Sequence, residues 1–311
     1  LYLSRYQGPQ WFEPVTYFGN NTLKDIYDYE PVERSWTTKM RSLLMGIQGS
    51  MWTEFCNKPE EVEYLIFPRL AAVAEGAWTF PVYMDNIQHK VTPMDGSLQV
   101  ELECIRPDVE IRYTTNGSQP TAKSSLYERK WQVTTPQIIK SATFKNGKQM
   151  GQTLTLPIQW NKATAKRMLR SNPVERVMVN GVRGSLKYTD SEWASWTRND
   201  SIAFTLDLRK REHLNKLVLG CINNYGMGVH KPKRVEVWLS NEDIEYWKVA
   251  SKELDPEEIF REGTFIEELP FNLDDTGRYV RVILFGAGEC PLTHVRPGQE
   301  ARVCVDELII E

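Results

Sequence analysis

The chain has 311 residues, 38 Lys and Arg against 41 Asp and Glu, a net charge of −3, and 41% hydrophobic and 25% charged residues. That length exceeds one ordinary core, so two or three domains are expected, and the mildly acidic balance without a dense Lys/Arg run excludes a phosphate-binding surface and nucleic acid as partner. No stretch approaches ~18 uncharged apolar residues, so no membrane span is expected, and the five scattered cysteines (Cys56, Cys104, Cys221, Cys290 and Cys304) lack a C-x-x-C pair, which argues against a disulfide framework and a zinc site.

Leu1-Tyr2-Leu3 already reads as a strand, with no basic start or apolar signal core, so the chain is expected to begin in the middle of a domain. A helix is expected over Leu23 to Tyr29, stopped by Pro31, and a strand over Leu43 to Ile47 that ends in glycines. Trp52 and Glu54 follow with one residue between them, and on an extended segment such residues share a face. An indole beside a carboxylate suits a pyranose: the ring covers the apolar C–H face while the carboxylate accepts charge-assisted hydrogen bonds from two hydroxyls. The competing reading places the indole in a core, because it carries a large apolar area. A second helix starts near Pro59-Glu60-Glu61, with apolar residues at Val62, Leu65, Ile66, Leu70 and Val73 and with Pro68 positioned to kink it. Two strand-plus-helix units fit the last quarter of a (β/α)8 TIM barrel, whose active site lies where strands end.

From about residue 90 to 158 the helical period gives way to short alternating runs: Leu98 to Leu102, Val109 to Thr114, Ile138 to Phe144 and Leu154 to Ile158. A small antiparallel β-sandwich is expected, with Asn116-Gly117 as a turn. From about 165 a second β-rich segment offers strands at Ile202 to Leu208, Lys216 to Gly220, Arg234 to Ser240, Arg278 to Leu284 and Val303 to Ile310. Trp193, Trp196, Tyr225 and His230 fall on inferred loops and could stack on a sugar. For the two tryptophans, cover of a sandwich edge is the stronger reading, and Asn223 to His230, with exposed amides beside Tyr225, is the better glycan-binding loop, with Asn224, Tyr225 and His230 as its residues. Three Asn-x-Ser/Thr sequons at Asn20, Asn116 and Asn199 carry little weight.

The order of Gly46-x-Gln-Gly, Trp52-x-Glu54 and Glu63-Tyr-x-x-Phe-Pro-Arg-Leu-x-Ala-x-Ala-Glu75 resembles the end of the catalytic domain of β-N-acetylhexosaminidases, and the text from Leu1 to Gln7, Glu13-Pro14 and Leu23 to Pro31 is similar to the preceding strand, loop and helix. The fragment from Glu110 to Thr121, with Ser125-Leu-Tyr and Lys140 to Phe144, resembles the Ig-like module attached to chitobiases and hexosaminidases. The remainder, with Asn180-Gly-Val-Arg-Gly-Ser ahead and Val305-Asp-Glu-Leu-Ile closing, resembles a discoidin or coagulation-factor type C jelly roll. The resemblance implies a multidomain α/β plus all-β chain: the end of a barrel over 1–85, an Ig-like sandwich over 90–160 and a discoidin-like sandwich over 165–311. It implies a retaining exo-glycosidase that removes terminal β-linked GlcNAc or GalNAc from glycans outside the cytoplasm, in which the substrate's own acetamido group is the nucleophile.

The same resemblance implies residue roles. Tyr2 matches the tyrosine whose hydroxyl bonds the acetamido carbonyl, Trp52 the base of the −1 subsite, and Glu54 the acid holding sugar hydroxyls. Ser4 stands where the family commonly carries an Asp that contacts hydroxyls, so binding at O4 or O6 is expected to be weaker; a register shifted along the strand would make Tyr6 the functional phenol instead. The family's adjacent Asp-Glu pair, acid and acetamido orienter, has no match here. Asp274-Asp275 and Glu60-Glu61 are adjacent acids that read as solvated, so this chain alone is expected to be inactive. The alternative is a non-catalytic carbohydrate-binding or scaffold array. No cofactor is expected and no metal ligand is assigned. A structural calcium is conceivable from the discoidin resemblance, with Asp190 and Asp207 the nearest candidates, but the hard-cation pattern Asp-x-Asp is absent.

Overall fold

The computed structural model describes residues 1–8, 10–32, 36–78, 85–104, 106, 108–169, 175–197 and 201–311; the end of the first expected domain and the Asn199 sequon lie outside them. In the first segment, β1 (Arg5–Tyr6) pairs in parallel with β2 (Tyr17–Asn20). Then come α1 (Leu23–Tyr27), α2 (Thr38–Ser42), α3 (Pro59–Ile66) and α4 (Arg69–Trp78). Thr22 starts α1 with a capping box: its hydroxyl accepts from Asp25 N–H while the Asp25 carboxylate accepts from Thr22 N–H. Pro68 separates α3 from α4, since it can supply no amide to continue the ladder.

The strand expected over Leu43 to Ile47 does not form. Thr37 accepts from Met40 N–H and nucleates α2, Leu43 becomes its C-cap, and Leu43 and Met45 lie exposed without a core to face. Extended pairing is displaced to Ser50, which lies parallel to Tyr2: Leu3 N–H donates to Ser50 O at 2.8 Å and Ser50 N–H to Leu1 O at 2.7 Å. Gly49 permits this approach, because a Cβ there would sit 3.1 Å from Leu3 Cδ1. Leu3, Ile26, Ala72 and Val73 form the small core beneath.

Arg69 ties these pieces together. Its side chain is fully buried, and its guanidinium donates to the carbonyls of Arg5 (2.9 Å), Asn21 (2.7 Å), Leu3 and Leu65. Those acceptors belong to the first strand, the exit of β2 and the end of α3. Burial lowers the Arg69 pKa, with the Glu13 charge opposing that effect.

Residues 85 to 158 form two facing antiparallel sheets. β3 (Ile87–Pro93), β4 (Leu98–Cys104) and β7 (Trp131–Val133) make one; β5 (Glu110–Thr114), β6 (Ser125–Leu126), β8 (Gln137–Lys145), β9 (Lys148–Gln149) and β10 (Leu154–Ile158) make the other. Leu98, Val100 and Leu102 alternate inward along β4 and meet Ile139, Leu156 and Ile158 from the opposite sheet. The Asn116-Gly117 turn is made by Gly117 at φ +78° and by Asn116 Oδ1 accepting from Ser118 N–H.

The last segment contains β11 (Arg167–Leu169), β12 (Ala194–Thr197), β13 (Ser201–Asn224), β14 (Arg234–Ser240), β15 (Trp247–Glu253), α5 (Pro256–Ile259), β16 (Thr264–Phe285) and β17 (Arg302–Ile310). The strand order is β12-β17-β13-β16-β14-β15, with β11 also on β13. The separate strands expected at Ile202 to Leu208 and Lys216 to Gly220 are one 24-residue strand paired along its length with β16. The polar stretch between them marks a bend rather than an end, with Arg209 at φ +77° and register shifts on either side of Glu212 to Leu214. The architecture is therefore mostly β-sheet with helices confined largely to the first 78 residues. Among the described residues, no helix is long and apolar enough to cross a membrane.

Candidate functional site

Tyr2, Ser4, Trp52 and Glu54 line one cavity of about 500 Å³, together with Arg5, Tyr17 and Phe18. The Tyr2-to-Ser50 bridge puts the first strand and the Trp52 segment side by side, so residues fifty apart in sequence share a wall. Tyr2 is 54% exposed and Trp52 53% exposed: both rings present a face to the cavity rather than to a core. The Arg5 guanidinium lies over the Tyr2 ring at 5.9 Å.

Glu54 is oriented by a residue the sequence reading missed. The Tyr17 hydroxyl faces Glu54, and the carboxylate, with desolvation behind it, raises the Tyr17 pKa above its ordinary value. Tyr17 is itself held edge-on against Phe55, with ring centroids 5.0 Å apart at 89°. β2 carries Tyr17 and Phe18 to the cavity by pairing with β1, and only the alternation of a four-residue strand could have signalled it. Ser4 is buried, with its carbonyl accepting from Thr16 Oγ1 at 2.9 Å. The Tyr6 hydroxyl instead accepts from Thr16 N–H at 3.4 Å and does not line the cavity.

Among the described residues lining this cavity, Glu54 is the sole carboxylate. Glu60 and Glu61 lie in the first turn of α3, Glu61 accepting from Asn57 N–H. Asp275 accepts from Trp247 Nε1–H at 2.8 Å, and Asp274 faces solvent beside His213. Asp207 is not an open cation ligand: Arg278 engages both its oxygens at 2.9 and 3.0 Å, which holds its pKa below the usual carboxylate value. Asp190 Oδ1 accepts from Glu192 N–H within a turn.

The expected glycan loop is turned inward. His230 is fully buried, so it presents no face to a sugar, and Asn224 spends its side-chain oxygen capping the turn Tyr225–Met227. The Tyr225 ring meets His294 at a tilt of 51°, with centroids 4.0 Å apart. The loop is held by neighbouring segments: Asn223 Nδ2 donates to Arg261 O and Gly263 O, His230 meets Ile259 O and His294 Nε2, and the Tyr225 hydroxyl donates to Thr293 O at 3.4 Å. Trp193 is buried with Nε1–H on Ser185 O at 2.9 Å, and Trp196 packs on the sandwich core, as edge cover requires. His230, Cys290 and His294 come together instead, with ligand-type atoms within 4.8 Å of one another. A search for paired cysteines is blind to this set; the signal was Cys290-x-x-x-His294, with its third member sixty residues upstream.

Residues 1–81 match the glycosyl hydrolase family 20 catalytic domain, and residues 94–155 match the chitobiase/beta-hexosaminidase C-terminal domain. Residues 1–81 are thus similar to part of a family 20 catalytic domain. The cavity lies within that part. A beta-hexosaminidase of Porphyromonas gingivalis is 37% identical over 79 residues, covering 25% of this chain and 10% of the relative. A beta-N-acetylhexosaminidase of Cellulomonas fimi is 40% identical over 63 residues, covering 20% and 12%. The matched segment thus spans about a tenth of these relatives. Among solved structures, the lectin domain of lectinolysin complexed with Lewis B antigen overlaps 50% of this chain and 97% of its own at 19% identity and a TM-score of 0.32.

Proposed function

We propose that residues 1–78 supply one wall of the −1 subsite of an exo-β-N-acetylhexosaminidase, acting on glycans that end in β-linked GlcNAc or GalNAc. The observation that carries this reading is the convergence of Tyr2, Trp52 and Glu54 on one cavity inside the family 20 match. Trp52 covers the apolar face of the sugar, Glu54 accepts from two of its hydroxyls while Tyr17 fixes the carboxylate, and the Tyr2 hydroxyl donates to the acetamido oxygen as that group attacks the anomeric carbon. Ser4 replaces a charged partner with a neutral hydroxyl, so discrimination at O4 or O6 is weak. Protonation of the leaving oxygen needs a second carboxylic acid beside Glu54, which is the sole carboxylate among the described lining residues. The isolated chain therefore binds the sugar without turning it over. Work on glycans outside the cytoplasm fits this assignment, and the terminal sandwich, whose candidate loop is closed, acts as scaffold.

Titration of N-acetylglucosamine into the chain, followed by intrinsic Trp fluorescence, tests the wall. Trp52→Ala should weaken binding at least tenfold, about 1.4 kcal/mol or more, and Glu54→Gln should weaken it severalfold. Equal affinity in both variants and the unmodified chain would refute the subsite. Turnover of an aryl N-acetylglucosaminide by the chain above buffer background would refute its inactivity, and turnover by a chain extended to include the family's Asp-Glu pair supports the parent activity.

A further inference from the structure

We propose that His230, Cys290 and His294 form a binding site for a transition-metal ion of the Zn²⁺ class. All three side chains are buried, and their ligand atoms lie within 4.8 Å of one another. The two imidazole Nε2 atoms face each other at 3.1 Å. Two nitrogens bound to one tetrahedral Zn²⁺ at their usual bond length stand about 3.3 Å apart, so a metal enters with only a small movement of the rings. One thiolate and two imidazoles are a donor set that borderline and soft cations prefer and that calcium and magnesium do not.

The surroundings match those of a ligating histidine. His230 Nδ1 lies 3.1 Å from Ile259 O and 3.0 Å from Asn223 Oδ1. The carbonyl requires a proton on Nδ1, which leaves the Nε2 lone pair directed at the cluster. Asn223 is in turn anchored, donating through Nδ2 to Arg261 O and Gly263 O at 2.8 Å each. Phe260 packs against the His230 ring at 4.9 Å and Tyr225 against His294 at 4.0 Å, so the site has an apolar shell. The ligands come from the turn after β13 and from the hairpin closed by the Glu289-to-Glu300 bridge, segments that a metal would staple together.

Without metal, His294 Nδ1 accepts from Arg296 N–H at 2.9 Å, so its proton resides on Nε2 and is shared with His230. Ligation through His294 Nε2 moves that proton to Nδ1 and opens the Arg296 bond, and ligation through sulfur releases the Cys290 thiol proton to solvent. The balance is one metal ion bound and one proton released, with no change of oxidation state.

The chelator-stripped 311-residue chain titrated with Co²⁺ should bind one equivalent and develop a thiolate-to-cobalt charge-transfer band in the near ultraviolet, which Zn²⁺ abolishes by displacement. Cys290→Ser should remove the charge-transfer band, and His230→Gln should weaken binding at least tenfold. Alkylation of Cys290 in the unmodified chain, mapped by mass spectrometry, gives a readout independent of whether those variants fold: Zn²⁺ should slow it at least tenfold. No stoichiometric Co²⁺ uptake, or an alkylation rate unchanged by Zn²⁺, would overturn the proposal.

Discussion

Arg69 shows how one side chain fixes a site it does not enter. Four carbonyls from three segments converge on its guanidinium in a buried setting, so the first strand, which carries Tyr2 and Ser4, is held against α4 by charge-assisted hydrogen bonds. Arg69→Met keeps most of the volume and orphans the acceptors. It should destabilise the first segment by about 2 to 4 kcal/mol and open the cavity, read as a lower melting midpoint and lost N-acetylglucosamine binding. Lysine should not rescue, because a single ammonium cannot reach four divergent carbonyls. Tyr17 allows a finer test. Its hydroxyl is held protonated by Glu54, so its ionisation, followed near 295 nm, lies above that of a free tyrosine. In Glu54→Gln it should fall back toward the ordinary value; an unchanged titration would dissolve the contact. That Tyr2, Ser4, Trp52 and Glu54 belong together was legible in the sequence because long motifs surround them, and they line one cavity. Tyr17 was not, because its role depends on a parallel pairing with β1 that no local pattern encodes.

Length of element, rather than its existence, separates expectation from structure in the terminal sandwich. The alternation at Ile202 to Leu208 and at Lys216 to Gly220 was readable, yet the bend joining them into β13 is polar and looks like a loop when neighbours in space are unknown. The same holds for Thr264 to Phe271, about a third of β16, which went unread because acidic residues interrupt its run. β17 poses the opposite problem, a strand that reads as apolar and yet buries two acids. Asp306 accepts from Arg183 Nε at 2.7 Å and from Gly184 N–H at 3.0 Å. Its neighbour Glu307 accepts, among the described residues, from Gly181 N–H alone, at 3.1 and 3.2 Å from its two oxygens, and burial followed by repulsion from Asp306 raises its pKa well above the ordinary value. A raised folded pKa favours folding fully below the unfolded value, and that contribution is lost as pH rises. Glu307→Gln, a near-isosteric neutral replacement, should therefore stabilise the chain at pH 7 by about 1 to 2 kcal/mol in urea denaturation, with the gain vanishing by pH 4. A gain of equal size at both pH values would show that charge is not its source.

At the scale of the whole molecule, the two β modules are fused rather than strung together. The strand pattern and the resemblance put a boundary between residues 160 and 165, and that stretch is crossed by hydrogen bonds from Gln159 N–H to Gly181 O and from Ala165 N–H to Val179 O, both 2.8 Å. Ala165 and Val182 belong to the core of the smaller sandwich, so the start of the terminal module plugs its neighbour. A buried polar contact then crosses the join. His89 on β3 meets Glu192 at 3.2 Å, both side chains at least nine-tenths buried, and the second Glu192 oxygen accepts from the fully buried Asn180. Such a contact resists opening because separation would strand each partner without its hydrogen bonds unless water replaced them. Residues 85 to 311 should consequently unfold in one calorimetric transition. Glu192→Ala removes the acceptor shared by His89 and Asn180 and should cost about 2 to 4 kcal/mol at the join. Because the terminal module keeps its own large core, the loss should fall first on the smaller sandwich and split the single transition into two, the lower one belonging to residues 85 to 158. Two resolved transitions in the unmodified chain would mean that the plug and the His89 contact do not couple the modules.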